Sequence, residues 1–215
     1  MKNINPQQSD IFDELNKRFQ IDSGPLYLVF DTETTGLPKD YNASHEDLDN
    51  WPRVVQLAWV VANVRGEILE EQSLIIKPEG FSIPAASAAI HGIDDAKAQT
   101  LGIPLVEALD FFNKSLLRSS PTLVAHNIDF DIKVLGAEFL RANIQTNFME
   151  LVRVCTMKSA IEFCGLANRK FPKLAELYRQ LFNDDFAGAH DALVDVKACY
   201  RCFFEMRDRK IIVLE

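Results

Sequence analysis

Apolar positions divide the chain into short segments of different period. Residues 9–20 place Ile11, Phe12, Leu15 and Phe19 at helical spacing behind Ser9, which predicts a capped helix. The compact apolar run from Pro25 to Phe30 predicts a buried strand, and it ends in the polar stretch Asp31-Thr32-Glu33-Thr34-Thr35-Gly36. A polar loop over 37–52 follows. Two further strands are predicted over 53–61 and 67–76. Asn63-Val64-Arg65-Gly66 between them reads as a turn, so the pair predicts a hairpin.

Helical spacing dominates afterwards. Pro84 suits a helix start at its first position, and Gly92 suits a helix stop. Leu105, Val106, Leu109, Phe112, Leu116 and Leu117 make one helical face over 104–117. Short strands are predicted over 122–125 and 151–155, and helices over 130–142, 156–164, 173–182 and 191–207. Three strands with a hairpin, then strands separated by helices, predict an α/β fold with a mixed sheet. No repeat or Gly/Ser linker divides the chain. A helical extension over 1–24 and a single domain over 25–215 are expected.

Three polar clusters interrupt this pattern. Asp31 and Glu33 stand two apart on a strand, so both side chains share one face. Adjacent carboxylates repel, and a hard divalent cation between them removes the penalty. The alternative is a solvated strand end. The second cluster, His126-Asn127-Ile128-Asp129-Phe130-Asp131, follows a strand and opens a helix, where sites collect in open α/β sheets. Asp129 and Asp131 both also suit a helix cap, and spacing does not choose between them. The third, His190-Asp191-Ala192-Leu193-Val194-Asp195, sets a carboxylate one turn into an apolar helix. Burial there demands a partner or a metal. The alternative places Asp195 on the outer face and His190 in an ordinary loop.

In this order, Phe30-Asp31-Thr32-Glu33-Thr34-Thr35-Gly36, His126-Asn127-x-x-Phe130-Asp131 and His190-x4-Asp195 resemble the three motifs of the DEDD exonucleases. His190 marks the DEDDh subfamily, which includes the epsilon proofreading subunit of bacterial DNA polymerase III and ribonuclease T. The likeness spans about residues 25–207, and His91-Gly92-Ile93 resembles a further family segment. The resemblance implies a ribonuclease H-like fold, a five-stranded mixed sheet flanked by helices. It selects Asp131 over Asp129. It implies 3′→5′ hydrolysis of phosphodiester bonds, releasing nucleoside monophosphates with two divalent ions, Mg²⁺ or Mn²⁺.

By the same resemblance Asp31 bridges both ions, Glu33 and Asp195 complete the first shell, and Asp131 supports the second ion. His190 is the implied general base. Thr34 is implied to contact the terminal 3′-hydroxyl, and His91, Gly92 and Ile93 to line the terminal-nucleotide pocket. A histidine before a Gly stop also suits a helix C-terminus, so His91 keeps both readings. Asn127 is left to bond phosphate or to brace its loop. The implied partners are single-stranded nucleic acid 3′ ends, DNA ahead of RNA, and a DNA polymerase. An RNA-trimming enzyme of the ribonuclease T or oligoribonuclease type is the alternative, and a non-catalytic nucleic-acid-binding module a further one.

Composition and charge sharpen this picture. Apolar residues make up 47% and charged residues 25%, ordinary globular usage that excludes disorder as a whole-chain reading. Net charge is −8, which argues against broad coating of nucleic acid or anionic membrane. The charge is uneven, with eight Lys/Arg against four Glu over residues 133–179. Four acidic groups of the surplus elsewhere are the motif carboxylates, so the balance favours a short strand end gripped at one metal-filled site. No signal peptide and no stretch of ~20 apolar residues is found, so a cytoplasmic protein without a membrane partner is expected. Cys155, Cys164, Cys199 and Cys202 are then expected to be reduced thiols. Cys199-x-x-Cys202 reads as two semi-buried thiols one turn apart rather than half a zinc site. Trp51 reads as closing onto the sheet rather than stacking on a base, and Phe130 as core. The basic stretch 169–173 reads as a solvated charge run or as a phosphate contact.

Overall fold

A computed structural model describes residues 24–214. The helix expected over 9–20, with Ser9 as its cap, lies outside them. Five strands form one sheet: β1 Tyr27–Thr34, β2 Val54–Ala62, β3 Ile68–Ile75, β4 Thr122–Ala125 and β5 Arg153–Cys155. Their order is β3-β2-β1-β4-β5. β2 runs antiparallel to β1 and β3, while β4 and β5 run parallel to β1. The helices are α1 Ala85–His91, α2 Asp95–Leu101, α3 Leu105–Ser119, α4 Ile128–Arg141, α5 Thr156–Ser159, α6 Ile161–Cys164, α7 Leu174–Phe182 and α8 Ala192–Asp208. This is the expected five-stranded mixed sheet flanked by helices.

The faces of β1 decide where its chemistry points. Leu28 and Phe30 join a core with Phe112 of α3 and Leu135 and Phe139 of α4. Tyr27 and Val29 join a second core with Leu177 of α7 and Val196 and Phe203 of α8. The same period, carried past Phe30, sends Asp31 and Glu33 to the α8 side and Thr32 to the α4 side. Register shifts just after Glu33, which opposes Gln56, so that Thr34 opposes Val54. The skipped Val55 packs with Ile83, Ile93 and Ala98 in a small third core, which holds α1 and α2 near the end of β1.

Several expected boundaries are corrected. β1 does not end with its apolar run, because main-chain pairing continues and sets Asp31 against Ala58 and Glu33 against Gln56. Pro84 precedes the first turn of α1 rather than occupying it, while Gly92 ends that helix at φ 70°, where glycine carries no steric cost. α2 was not expected. It is short, and its start is set by the Asp94 carboxylate, which accepts from the Lys97 amide at 2.8 Å. α4 begins at Ile128, so Asp129 and Asp131 both lie inside its first turn and neither is the cap. The helix expected over 156–164 is two short ones parted at Ala160.

The polar loop 37–52 is tightly held. Asn50 accepts from the Asp40 amide at 2.7 Å and donates to the Asp40 carbonyl at 2.9 Å. Trp51 is buried in the α3/α4 core, with Nε1 donating to the Ser44 carbonyl at 2.9 Å. Its ring is therefore core and offers no stacking face. Beneath it the fully buried Glu138 carboxylate accepts from Arg53 Nε and the Val54 amide, both at 2.9 Å, and pairs with Arg141 Nη1 at 3.3 Å. Arg141 also donates to the Trp51 carbonyl at 2.7 Å and to that of Leu48. All four cysteines are free, and Cys199 and Cys202 are both buried in α8, one turn apart.

Candidate active site

The three predicted clusters meet at the C-terminal end of β1. Asp195 lies in the first turn of α8, whose N-cap Asp191 accepts from the amides of Leu193 at 3.0 Å and Val194 at 3.2 Å. The Asp195 carboxylate accepts from the His190 amide at 2.8 Å. His190 itself is exposed and holds φ 73° after Gly188 at φ 84°. Glu33, His190 and Asp195 each bring one ligand atom within 4.8 Å of the others. Asp131 is buried on the neighbouring face, where the Thr32 hydroxyl donates to it at 2.8 Å. Asp129, two residues earlier, is exposed and pairs with Lys158. Burial and partner thus separate two aspartates that spacing leaves equivalent.

Asp31 sits at the electrostatic centre of this group. Burial first, then Asp131, Asp195, Glu33 and Asp191 in turn, push its carboxyl well above the usual range. Burial and the neighbouring Asp195, Asp131 and Asp191 raise Glu33 to about 8. Asp131 is raised to about 7 by burial, which outweighs its hydrogen bond from Thr32. Asp195 is raised by burial too, against the His190 amide. Carboxylate oxygens crowded this closely, with one imidazole beside them, form a donor set that fits hard divalent cations.

A stability signature follows from these shifts. In the metal-free protein the folded state keeps protons that the unfolded chain releases near 3.8 for Asp131 and 4.5 for Glu33. Folded values above unfolded ones mean stability present at low pH and lost as pH rises through about 8 for Glu33. Buried His126, lowered to about 4, works in the opposite direction, but only below its ordinary 6.5. Between about pH 6.5 and 8 the carboxylates dominate. Thermal melts in EDTA are expected to fall across that window, and Mn²⁺ is expected to flatten the curve. A melting temperature in EDTA that holds or rises from pH 6.5 to 8 contradicts the crowding argument.

The remaining expected residues surround this centre. The Thr34 hydroxyl donates to the Gly36 carbonyl at 2.7 Å, so its proton is already engaged. Thr35 fixes the same turn: its hydroxyl accepts from the Arg53 amide at 3.0 Å and its carbonyl from Ser87 Oγ of α1 at 2.8 Å. His91 is buried, and its Nδ1 accepts from the Ile93 amide at 3.2 Å. Its proton therefore sits on Nε2, a buried atom. Burial lowers His91, and the Thr34 carbonyl opposes this. Ile93 is 2% exposed and braces the wall from behind rather than presenting a surface. Asn127 takes φ 73° before α4 and makes no capping bond, a conformation Asn adopts more readily than most residues.

Four contributors carry no assigned role in the sequence, although Thr32, His126 and Asp191 lie within its motif clusters. Thr32 holds Asp131, and Asp191 both caps α8 and adds charge to the cluster. Gln56 accepts from the Ala192 amide at 3.2 Å and so docks the start of α8 on β2. Its signal was available: it is a lone polar side chain in a strand buried at every position. His126 bridges Thr156 Oγ1 and the Pro172 carbonyl, each at 3.0 Å, and stays neutral.

The exonuclease family of the RNase T type matches residues 28–203, a span containing all four motif carboxylates and His190. The chain belongs to this exonuclease family. A DNA polymerase III subunit epsilon-like protein of Rhodobacter capsulatus is 31% identical over 181 residues, covering 84% of this chain and 23% of that protein. The DNA polymerase III subunit epsilon of Treponema pallidum is 28% identical, covering 87% of this chain and 79% of that protein. Among solved structures, E. coli exonuclease I in complex with single-stranded DNA shares the fold at TM-score 0.70 and 17% identity, over 86% of this exonuclease and 41% of that chain. The resemblance drawn from the motifs and the expected enzyme class are borne out. No helix among the exonuclease's described residues is long and apolar enough to cross a membrane.

Proposed function

We propose that residues 25–215 act as one 3′→5′ exonuclease domain, releasing nucleoside monophosphates from single-stranded DNA with two divalent ions, Mg²⁺ or Mn²⁺. The observation that carries this is the convergence of Asp31, Glu33, Asp131, His190 and Asp195 from three distant segments on one sheet end. Asp31, Glu33 and Asp195 would hold one ion, and Asp31 with Asp131 the other. When bound, the ions neutralise the phosphodiester and acidify the attacking water.

The chain's own groups do the rest. Thr32 Oγ1 holds the Asp131 carboxylate in one orientation, and the His190 amide does the same for Asp195. The exposed His190 imidazole takes the water proton on a ring nitrogen. His91, a buried residue with Thr34 and Gly92 beside it, would shape the terminal-nucleotide pocket from within the protein. Relatives named as DNA polymerase III epsilon subunits, and a fold match solved with single-stranded DNA, support DNA ahead of RNA and a polymerase as partner. Four free thiols support a reducing, cytoplasmic setting.

Product analysis on 5′-labelled single-stranded DNA and RNA tests the reading. With Mg²⁺ the DNA is expected to shorten stepwise from its 3′ end with release of monophosphates. His190→Ala is expected to slow this by about 10²- to 10⁴-fold, the usual range for a lost general base. Trimming of RNA alone makes the chain an exoribonuclease, and cleavage of neither at saturating metal leaves a binding module.

A further inference from the structure

The loop between β1 and β2 has no role in the mechanism above, yet it holds an aromatic ring, that of Tyr41, out to solvent. Asp40 is fixed by its two bonds with Asn50, and its Oδ1 accepts from the Asn42 amide at 2.8 Å. Between them the Tyr41 carbonyl accepts from Lys133 Nζ at 2.7 Å. The backbone on both sides of Tyr41 is therefore set, while Tyr41 is 51% exposed. Its ring lies 6.4 Å from that of Phe130, which lies 6.5 Å from buried Trp51. Phe130 immediately precedes Asp131 in the first turn of α4. An aromatic face is thus held on a packed base, over the residue that precedes Asp131 in the first turn of α4.

The loop itself is acidic, with Asp40, Glu46, Asp47 and Asp49, so the cation next to Tyr41 comes from α4. Lys133 bonds a neutral carbonyl and sits 5.4 Å from the Trp51 ring centroid, with no carboxylate partner among the described residues. Lys39 is exposed two residues before Tyr41. The turn before α8 instead carries Asp184, Asp185 and Asp191. Phe171, on the segment tied to His126, is also exposed, but Arg169 and Lys170 beside it pair with Glu162 and Glu176.

We propose that Tyr41 is the stacking platform for the base adjoining the terminal nucleotide of the substrate strand, with Lys133 beside the intervening backbone. This rests on the exonuclease reading. Bases of any sequence stack on an aromatic face, so the contact adds grip without base preference.

The test compares wild type, Tyr41→Ala and Tyr41→Phe on a single-stranded DNA oligonucleotide and on thymidine 5′-(p-nitrophenyl phosphate), which carries no second base. In Tyr41→Ala the ratio of oligonucleotide KM to ester KM is expected to rise about 5- to 150-fold. Tyr41→Phe keeps the ratio. Anisotropy of a fluorescein-labelled oligonucleotide, measured in a His190→Ala background to prevent turnover, is expected to give the same factor in Kd. An unchanged ratio and Kd in Tyr41→Ala overturn the proposal, as does a Tyr41→Phe variant damaged as much as Tyr41→Ala. Wild type cleaving neither substrate overturns the exonuclease reading instead, and the Kd comparison still decides the stacking.

Discussion

Asp31→Asn is expected to abolish hydrolysis and, in EDTA at pH 8, to raise the melting temperature. Both effects have one cause. Asp31 is the carboxylate pressed upon by Asp131, Asp195, Glu33 and Asp191 together, and burial compounds the repulsion. Without cations this arrangement is a store of unfavourable charge, and an isosteric amide relieves it without opening a cavity. The same substitution removes the ligand proposed to hold both ions. Losing an outer-shell partner of a metal site typically costs 10- to 100-fold, so losing this ligand is expected to cost more than about 10²-fold in rate.

Metal titration separates the two effects. A ligand at 100 times its Kd stabilises a fold by about 2.7 kcal/mol. For a chain of this size that is about 5–11 °C in Tm. Wild type is expected to gain such an increment with Mn²⁺, and Asp31→Asn is expected to lose most of it. A variant that melts below wild type in EDTA, or that keeps its activity, would refute the assignment of Asp31.

The largest stability effect is expected far from the chemistry. Glu138 is 0% exposed, and its carboxylate serves Arg53, Arg141 and the Val54 amide at once. Breaking a buried pair from one side strands the other charges, which typically costs 3–5 kcal/mol. Glu138→Ala is thus expected to lower Tm by roughly 6–20 °C. The loop 37–52 should loosen with it, because Arg141 also holds the Leu48 and Trp51 carbonyls. Limited proteolysis is expected to cut this loop in the variant before the rest of the chain. Glu138→Gln, which keeps an acceptor for Val54, is expected to fall between. The exposed Lys114–Asp110 pair supplies the control, since truncating such a pair typically costs at most about 1 kcal/mol. A Glu138→Ala melt as mild as that of Asp110→Ala rules out a buried ionic tether.

The alternation in β1 is legible in the sequence alone, and it carries much of the candidate site. A period of two puts Asp31 and Glu33 on one face whatever surrounds them, and the apolar run before them marks that strand as buried. The order of strands and helices, and with it a mixed sheet, follows from local period alone. So does the start of the last helix, where Asp191 and Asp195 fall within one turn. Local rules also misplaced boundaries. The end of β1 was set too early because its last four residues are held by pairing to β2, which hydropathy does not record.

The choices that required the folded chain all involve partners far apart in sequence. Thr32 meets Asp131 across 99 residues, and Gln56 meets Ala192 across 136. The same distance hides Glu138, which reads locally as one more charge on an amphipathic helix. It becomes a buried anion only because β2 and the loop before it deliver Arg53 and Arg141 finds the loop's carbonyls. By itself the sequence determined where carboxylates and histidines cluster and which face of each element they occupy, because period and hydropathy are properties of neighbours. The tertiary structure decided which carboxylate is buried, which is solvated and which group holds each one still. Burial and pairing depend on what the rest of the chain brings to within 3 Å.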